Sequence, residues 1–315
     1  MRAIEKVQVV VFLFVIATSH VCSSTAQTPS AASILRFGLT SSVIEGDVNP
    51  DDAMAATKTW VSTIGKGTGL WNNSDGRIYK DAASTLAAVN RGESDLTAMG
   101  TQEYLEVEDS LQAVPSLTYV QGGQVETQYL LLVRNDSGIK TVADLRGKRI
   151  ALPRSGRNTM APLWLDVLLY ENKLGKKESF FKEVRQVQKP SQAILPVFFS
   201  QIDAGIAISS AYATAVELNP QIGQQIRMLS ASPKLVMAVV CIRSTLPAGQ
   251  RERFVKEALK LHEKPAGLQT FNIFKIDRLV AWDSSYFSSV RDLMKKYNLA
   301  TQPQAHATHI AETGR

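Results

Sequence analysis

The sequence predicts an exported α/β protein of two lobes, and three observations carry that expectation. Short apolar strands alternate with amphipathic helices, with small polar turns at the strand ends. Two apolar runs, TQYLLLVR (127–134) and LVMAVVCI (235–242), bracket a basic segment, as crossings would if the middle of the chain forms a lobe inserted in the other. The chain of 315 residues is also long enough for two cores, since domains commonly run to ~100–200 residues. The expected division is a leader over 1–26, a discontinuous first lobe over 33–131 and 237–300, an inserted second lobe over 132–236 and a flexible tail over 301–315.

At the N-terminus, Arg2 and Lys6 precede the uncharged stretch VVVFLFVIA (9–17), followed by the small residues Ser24-Thr25-Ala26. This is the pattern of a secretory signal removed after about Ala26. The apolar stretch is shorter than the ~20 residues that span a bilayer. Lipidation at Cys22 is the alternative, although His20 and Val21 are poor residues before a lipidated cysteine.

ILRFGLTSS (34–42) then reads as a strand ending in a polar turn, and NPDDAMAATKTWVSTI (49–64) as a helix. Asn49 suits the N-cap, Pro50 the first helical position, and Asp51 and Asp52 the positive helix end. Ala53, Ala56, Trp60 and Ile64 recur at helical spacing and mark the buried face. DAASTLAAVNRG (81–92) is a second helix ended by Gly92, and it feeds the strand SDLTAMG (94–100).

After the 127–134 strand, TVADLRGKRIALP (141–153) predicts a short helix, a glycine turn and a strand. The polar turn Ser155-Gly156-Arg157-Asn158 follows, and then an apolar helix over 160–170. A strand, a small polar turn and a helix in this order crowd free backbone N–H groups at the helix start, which suits an anion. Beyond the basic stretch 173–189, Gln192 to Gln201 reads as a helix despite Pro196, and IDAGIAIS as a buried strand. RERFVKEALKLHEKP (251–265) is a helix stopped at Pro265.

Charge is unevenly divided. Residues 132–236 hold 15 Lys/Arg against 8 Asp/Glu, a net of +7, while the rest of the chain beyond the leader stands at −2. The asymmetry either steers an anionic ligand or acidic partner, or reflects a solvated basic helix around KLGKKESFFKEVRQVQK (173–189). No aromatic residues interleave with a basic stripe, so a nucleic-acid partner is not expected.

Three stretches, NRGESDLTAMG, ADLRGKRIALP and VFFSQIDAGIAISS, resemble the type 2 periplasmic binding protein fold. Their order and spacing resemble the phosphonate/phosphite-binding subfamily of ABC-transporter substrate-binding proteins, over roughly residues 33–300. The resemblance implies the bilobal type 2 topology, with one lobe inserted in the other, two hinge strands joining them and closure on a small ligand. It places the family's Ser-Thr-Ser-Gly phosphonate turn on Ser155, Gly156, Arg157 and Asn158, where only the first serine matches. The family's histidine falls on Pro190 or Ser191, its two carboxylates for a ligand amine on Ser210 and Ala238, and its aromatic before the first-lobe glycine on Met99.

Aminoalkyl phosphonates are therefore not expected, since an ammonium needs a desolvated carboxylate. An anion remains, with Arg157 adding a charged fork to the helix-start N–H groups. The alternative is that Arg157 points to solvent and Asn158 only caps the helix. Ser41, Ser42, Thr101, Ser191 and Gln192 are the other cleft candidates, each at a strand end or helix start. Tyr104 either stacks on the ligand or packs in the core.

Enzyme chemistry finds little support. The chain lacks Gly-x-Ser-x-Gly, His-Glu-x-x-His, a P-loop and Cys-x-x-Cys, and its histidines are His20, His262, His306 and His309. Asp203 is the one obvious acid near a turn, and in IDAGIAIS it suits the strand end. HATH (306–309) is a possible chelator of adventitious metal in a tail. Cys241, within an apolar run, is expected to be a buried small hydrophobe.

The expectation is a monomeric periplasmic binding protein without cofactor that captures a small anionic ligand for an ABC permease or a membrane sensor. A ligand-presenting receptor or accessory protein for a signalling or redox partner is the first alternative, and an exported enzyme on the same scaffold the second.

Overall fold

The computed structural model describes residues 34–44, 48–154 and 156–302, the side chain of Arg157 apart. The expected leader and all but the first residues of the expected tail lie outside the described residues.

The strands form two sheets. The first holds β1 (Ile34–Thr40), β2 (Asn73–Tyr79), β3 (Leu96–Gly100), β4 (Ala113–Val120), β10 (Ala238–Arg243) and β11 (Arg278–Ala281), in the order β11-β4-β10-β3-β1-β2. The second holds β5 (Tyr129–Arg134), β6 (Arg149–Pro153), β7 (Glu183–Val187), β8 (Ala204–Ile208) and β9 (Ile226–Ala231), in the order β7-β6-β8-β5-β9. Both follow one plan. Three parallel strands lie second-first-third, and an antiparallel strand arriving from the other sheet, β10 or β5, pairs beside the third.

The chain crosses between the sheets after β4 and after β9. The two crossings pair with each other, Thr127 N–H to Leu235 O at 2.9 Å and Leu235 N–H to Thr127 O at 2.8 Å. This is the bilobal mixed α/β architecture that the apolar runs predicted.

A shared hook explains why the two strand motifs look alike. Asp95, just before β3, accepts the Arg36 N–H of β1 at 3.0 Å, and Asp203, just before β8, accepts the Arg149 N–H of β6 at 2.8 Å. Each aspartate also donates its own N–H to the same residue's carbonyl, at 2.7 and 3.2 Å. Asp203 thus serves the strand end. Gly205 follows because α6 (Ser191–Phe198) lies so close to β8 that a Cβ there would stand 2.2 Å from the Ala193 carbonyl oxygen.

The remaining helices are α1 (Pro50–Thr68), α2 (Ala82–Asn90), α3 (Thr101–Val107), α4 (Ala161–Glu171), α5 (Lys177–Phe180), α7 (Ser209–Leu218), α8 (Pro220–Gln225), α9 (Ala248–Leu259), α10 (Pro265–Phe274) and α11 (Ser288–Thr301). In α1 the Asn49 side chain accepts the Asp51 N–H, and Ala53, Ala56, Trp60 and Ile64 are all buried, as their spacing predicts. In β5, Tyr129, Leu131 and Val133 pack with Trp164 and Leu165 on one face, while Leu130 and Leu132 pack with Ala193, Ile194 and Val197 on the other. A strand covered on both faces reads as a continuous apolar run.

Three expectations are corrected. The stretch 173–189 is not a basic helix: it holds the four-residue α5 and the strand β7, with Lys177 paired to Asp166 at 2.6 Å. Pro265 does not merely stop a helix, since it opens α10 in the first turn, where a missing N–H costs nothing. The last helix, counted by sequence with the first lobe, buries Val290 and Leu293 in the cluster of the second sheet and pairs Lys296 with Glu171 at 2.7 Å. Its Arg291 reaches back to Glu108 beside α3, so α11 bridges both sheets.

Cys241 is fully buried in β10, and burial pushes its thiol far above the ordinary range. For a chain lacking 1–26, a thiol reagent should modify the native protein no faster than it unfolds, and modify denatured protein at once. Rapid labelling under native conditions would place this thiol at the surface.

Candidate functional site

The C-terminal ends of the parallel strands carry small polar turns in both sheets, and these turns meet. The 3-10 turn Ser41–Val43 follows β1, the 3-10 turn Gly156–Asn158 follows β6, and Cα atoms of the two lie within 8 Å of each other. Of the expected cleft residues, Ser41 and Ser42 are thereby brought to face Gly156, Arg157 and Asn158. Ser155 and the Arg157 side chain lie outside the described residues. Asn158 is buried, but it does not cap the next helix: α4 begins at Ala161 with Met160 in the cap position and Pro162 in its first turn.

The first wall is built around a residue that sequence reasoning missed. Glu103, in the first turn of α3, turns its carboxylate back over the strand ends. Its Oε2 accepts the Gly100 N–H at 2.9 Å, the Thr40 hydroxyl at 2.6 Å and the Ser42 hydroxyl at 2.5 Å. Ser42 is thus committed to a carboxylate before any ligand arrives. The available signal was local: a glutamate three residues after a strand-end glycine is the spacing of a helix cap.

Glu103→Ala is expected to lower stability by about 1–3 kcal/mol, because it strips an acceptor from buried Thr40 and Ser42. Glu103→Gln, which keeps a carbonyl oxygen, should recover part of the loss in urea denaturation. An unchanged midpoint for the alanine variant would refute this role.

Several other expected residues make contacts within the protein. Thr101 is fully buried and clamps α3 to the second crossing, its hydroxyl to Val236 O at 2.6 Å and its N–H to Met237 O at 3.1 Å. Ser209 makes the matching clamp in the other sheet, its N–H to Gln128 O at 2.8 Å and its hydroxyl 3.0 Å from that of Thr127. The first residue after each third strand is therefore a hinge tie.

Tyr104 is a core residue, stacked on Phe287 with ring centroids 4.7 Å apart. Burial, with Cys241 and Glu108 nearby, pushes its phenol up to about 12. Ser41 donates to Lys80 O at 3.2 Å. Ser191 is exposed at the start of α6, where Gln192 turns back to accept the Gln188 and Lys189 N–H groups, both at 3.1 Å. Met99, where the resemblance places an aromatic, is buried in the core.

Among the described residues no group of three or more His, Cys, Asp or Glu is placed to hold a metal ion, and no helix is long and apolar enough to cross a membrane.

No curated protein matches the chain. Among solved structures, XAC2383 from Xanthomonas citri bound to ATP is similar with a TM-score of 0.64 at 18% identity, covering 85% of this chain and 98% of that one. PhnD1 from Prochlorococcus marinus in complex with methylphosphonate is similar with a TM-score of 0.59 at 13% identity, covering 86% and 99%. A binding component of an ABC phosphonate transporter from Pseudomonas aeruginosa gives a TM-score of 0.59 at 14% identity, covering 86% and 88%. These likenesses support the fold. The family described as "ABC transporter, phosphonate, periplasmic substrate-binding protein" matches residues 45–287. With two sheets of one plan, crossings paired at Thr127 and Leu235, and polar turns meeting at the strand ends, the chain belongs to this family of periplasmic substrate-binding proteins of phosphonate ABC transporters.

Proposed function

We propose that the protein captures a small phosphorus oxyanion, of the phosphite, phosphate or phosphonate class, between its two sheets and delivers it unchanged to an ABC permease. The observation that carries this reading is the meeting of the turns Ser41–Val43 and Gly156–Asn158, each at a strand end where ligands of open α/β sheets bind. The second lobe, 132–236, carries a net +7 and supplies the electrostatic attraction. The first lobe presents the Glu103 carboxylate instead. The anion's charge is therefore met from the second lobe, and the first wall receives a protonated oxygen or another donor.

The leader directs export and is removed, and the mature protein works as a monomer. Delivery to a membrane sensor in place of a permease uses the same cleft and the same closure.

The test is a thermal-shift panel of phosphite, methylphosphonate, phosphate, 2-aminoethylphosphonate, sulfate and acetate. Saturation near 100 times Kd adds about 2.7 kcal/mol, which for a chain of this size raises Tm by about 4–5 °C. A phosphorus oxyanion should give the largest shift. Stabilisation by neutral compounds alone, or by acetate as strongly as by any phosphorus anion, would overturn the reading.

A further inference from the structure

We propose that the first lobe holds a preformed apolar subsite beside the cleft, and that the ligand is an oxyanion carrying a compact branched alkyl group. The inference rests on the oxyanion reading above and adds the part of the ligand that reading leaves open. A cavity of about 80 Å³ lies between the first sheet and the helices α1 and α10. Its wall includes Leu39 near the end of β1, Ala238 at the start of β10, Phe274 at the end of α10 and Val43. All four belong to the cleft end of their elements, and Val43 closes the turn that meets Gly156–Asn158. The cavity and the meeting point thus share Val43.

The residue types explain why space remains. Ala98 and Val240 are paired across the central strands β3 and β10, where a side chain normally vanishes under a helix, yet both are only half-buried. Opposite them stand Thr57 of α1 and Thr270 of α10, too short to fill the gap. The threonine hydroxyls are turned away from any guest: Thr57 donates to Ala53 O at 2.8 Å, Thr118 to Ala238 O at 2.8 Å and Thr270 to Ala266 O at 3.0 Å. Ordered water needs two to four polar partners, so such a wall suits hydrocarbon instead. The volume is about half of the ~150 Å³ apolar cavity known to hold benzene, which favours a branched C3–C4 group over a ring.

The experiment compares methylphosphonate with isobutylphosphonate by calorimetry, with xenon as a probe of the cavity alone. A buried methylene is worth about fourfold in affinity, so isobutylphosphonate should bind at least about tenfold tighter. Ala98→Leu fills the space from the sheet side and should reduce the preference to about twofold and abolish xenon uptake; Val240→Ile does so more gently if the leucine variant fails to fold. Equal affinities for the two phosphonates in the parent protein, or a preference that survives filling, would overturn the subsite while leaving oxyanion capture intact. Absence of xenon uptake would also overturn it. Binding of neither phosphonate would overturn the subsite, and oxyanion capture falls with it when phosphite and phosphate fail to bind as well.

Discussion

Asp95→Ala should destabilise the protein by about 3–5 kcal/mol, the largest loss expected from any single truncation at the strand hooks. The Asp95 carboxylate is almost wholly buried and works on three fronts. It accepts the Arg36 N–H of β1 at 3.0 Å, and its other oxygen takes Nε and Nη2 of Arg243 at 3.0 and 2.5 Å. Arg243 ends β10, so one side chain fastens the first, third and incoming strands of the first sheet. Removing it leaves a largely buried guanidinium without its carboxylate and a strand N–H without its acceptor. Urea denaturation measures the loss, and a change under 1 kcal/mol would show that the hook is dispensable.

Asp203 makes the same hook in the second sheet with a more exposed partner, Arg149, at 3.2 Å, and its truncation should cost less. Burial raises its pKa, but the Arg149 N–H and guanidinium outweigh burial and hold the carboxyl below the usual aspartate range. Because the folded value is the lower one, the unfolded chain binds more protons between the two. This contribution is complete above the ordinary aspartate range and is lost as pH falls through the lowered value. Asp203→Asn should accordingly flatten the acid limb of the stability curve; an unaltered limb would deny the residue that role.

Arg157→Ala should weaken binding of a phosphorus oxyanion by at least about 30-fold, the effect of truncating one partner of a desolvated charge pair. Arg157 stands in the turn after β6, which meets the turn after β1, and under the proposed function it is the cation of that turn. Arg157→Lys should recover only part of the affinity, since an ammonium keeps the charge and loses the fork. Titration calorimetry at two ionic strengths decides the matter. Equal affinity in the parent and alanine variants would leave the anion to backbone N–H groups alone.

Much of the architecture was legible in the sequence because it rests on local pattern. The α1 cap at Asn49 and its inward face follow from spacing alone, as does β5 from its unbroken apolar run. Polar edge strands escaped: β2, NSDGRIY, lies at the sheet edge and buries only Ser74 and Tyr79, so it carries no apolar alternation. The basic stretch 173–189 misled for a related reason. Its charges mark a solvated edge, and a solvated edge strand can look like a solvated helix.

By itself the sequence determined the class of fold, the two crossings and the strand ends at which small polar residues gather. Those features depend on periodicity and turn chemistry, which act over a few neighbours. Only the tertiary structure decided which of those polar residues remain available to a ligand. Thr101 is claimed by Val236, 135 residues away, Ser42 by Glu103, 61 residues away, and the Tyr104 ring by Phe287. A hydroxyl at a strand end is the same in sequence whether it faces solute or a carbonyl from the opposite crossing, and the packing of distant segments settles which it meets.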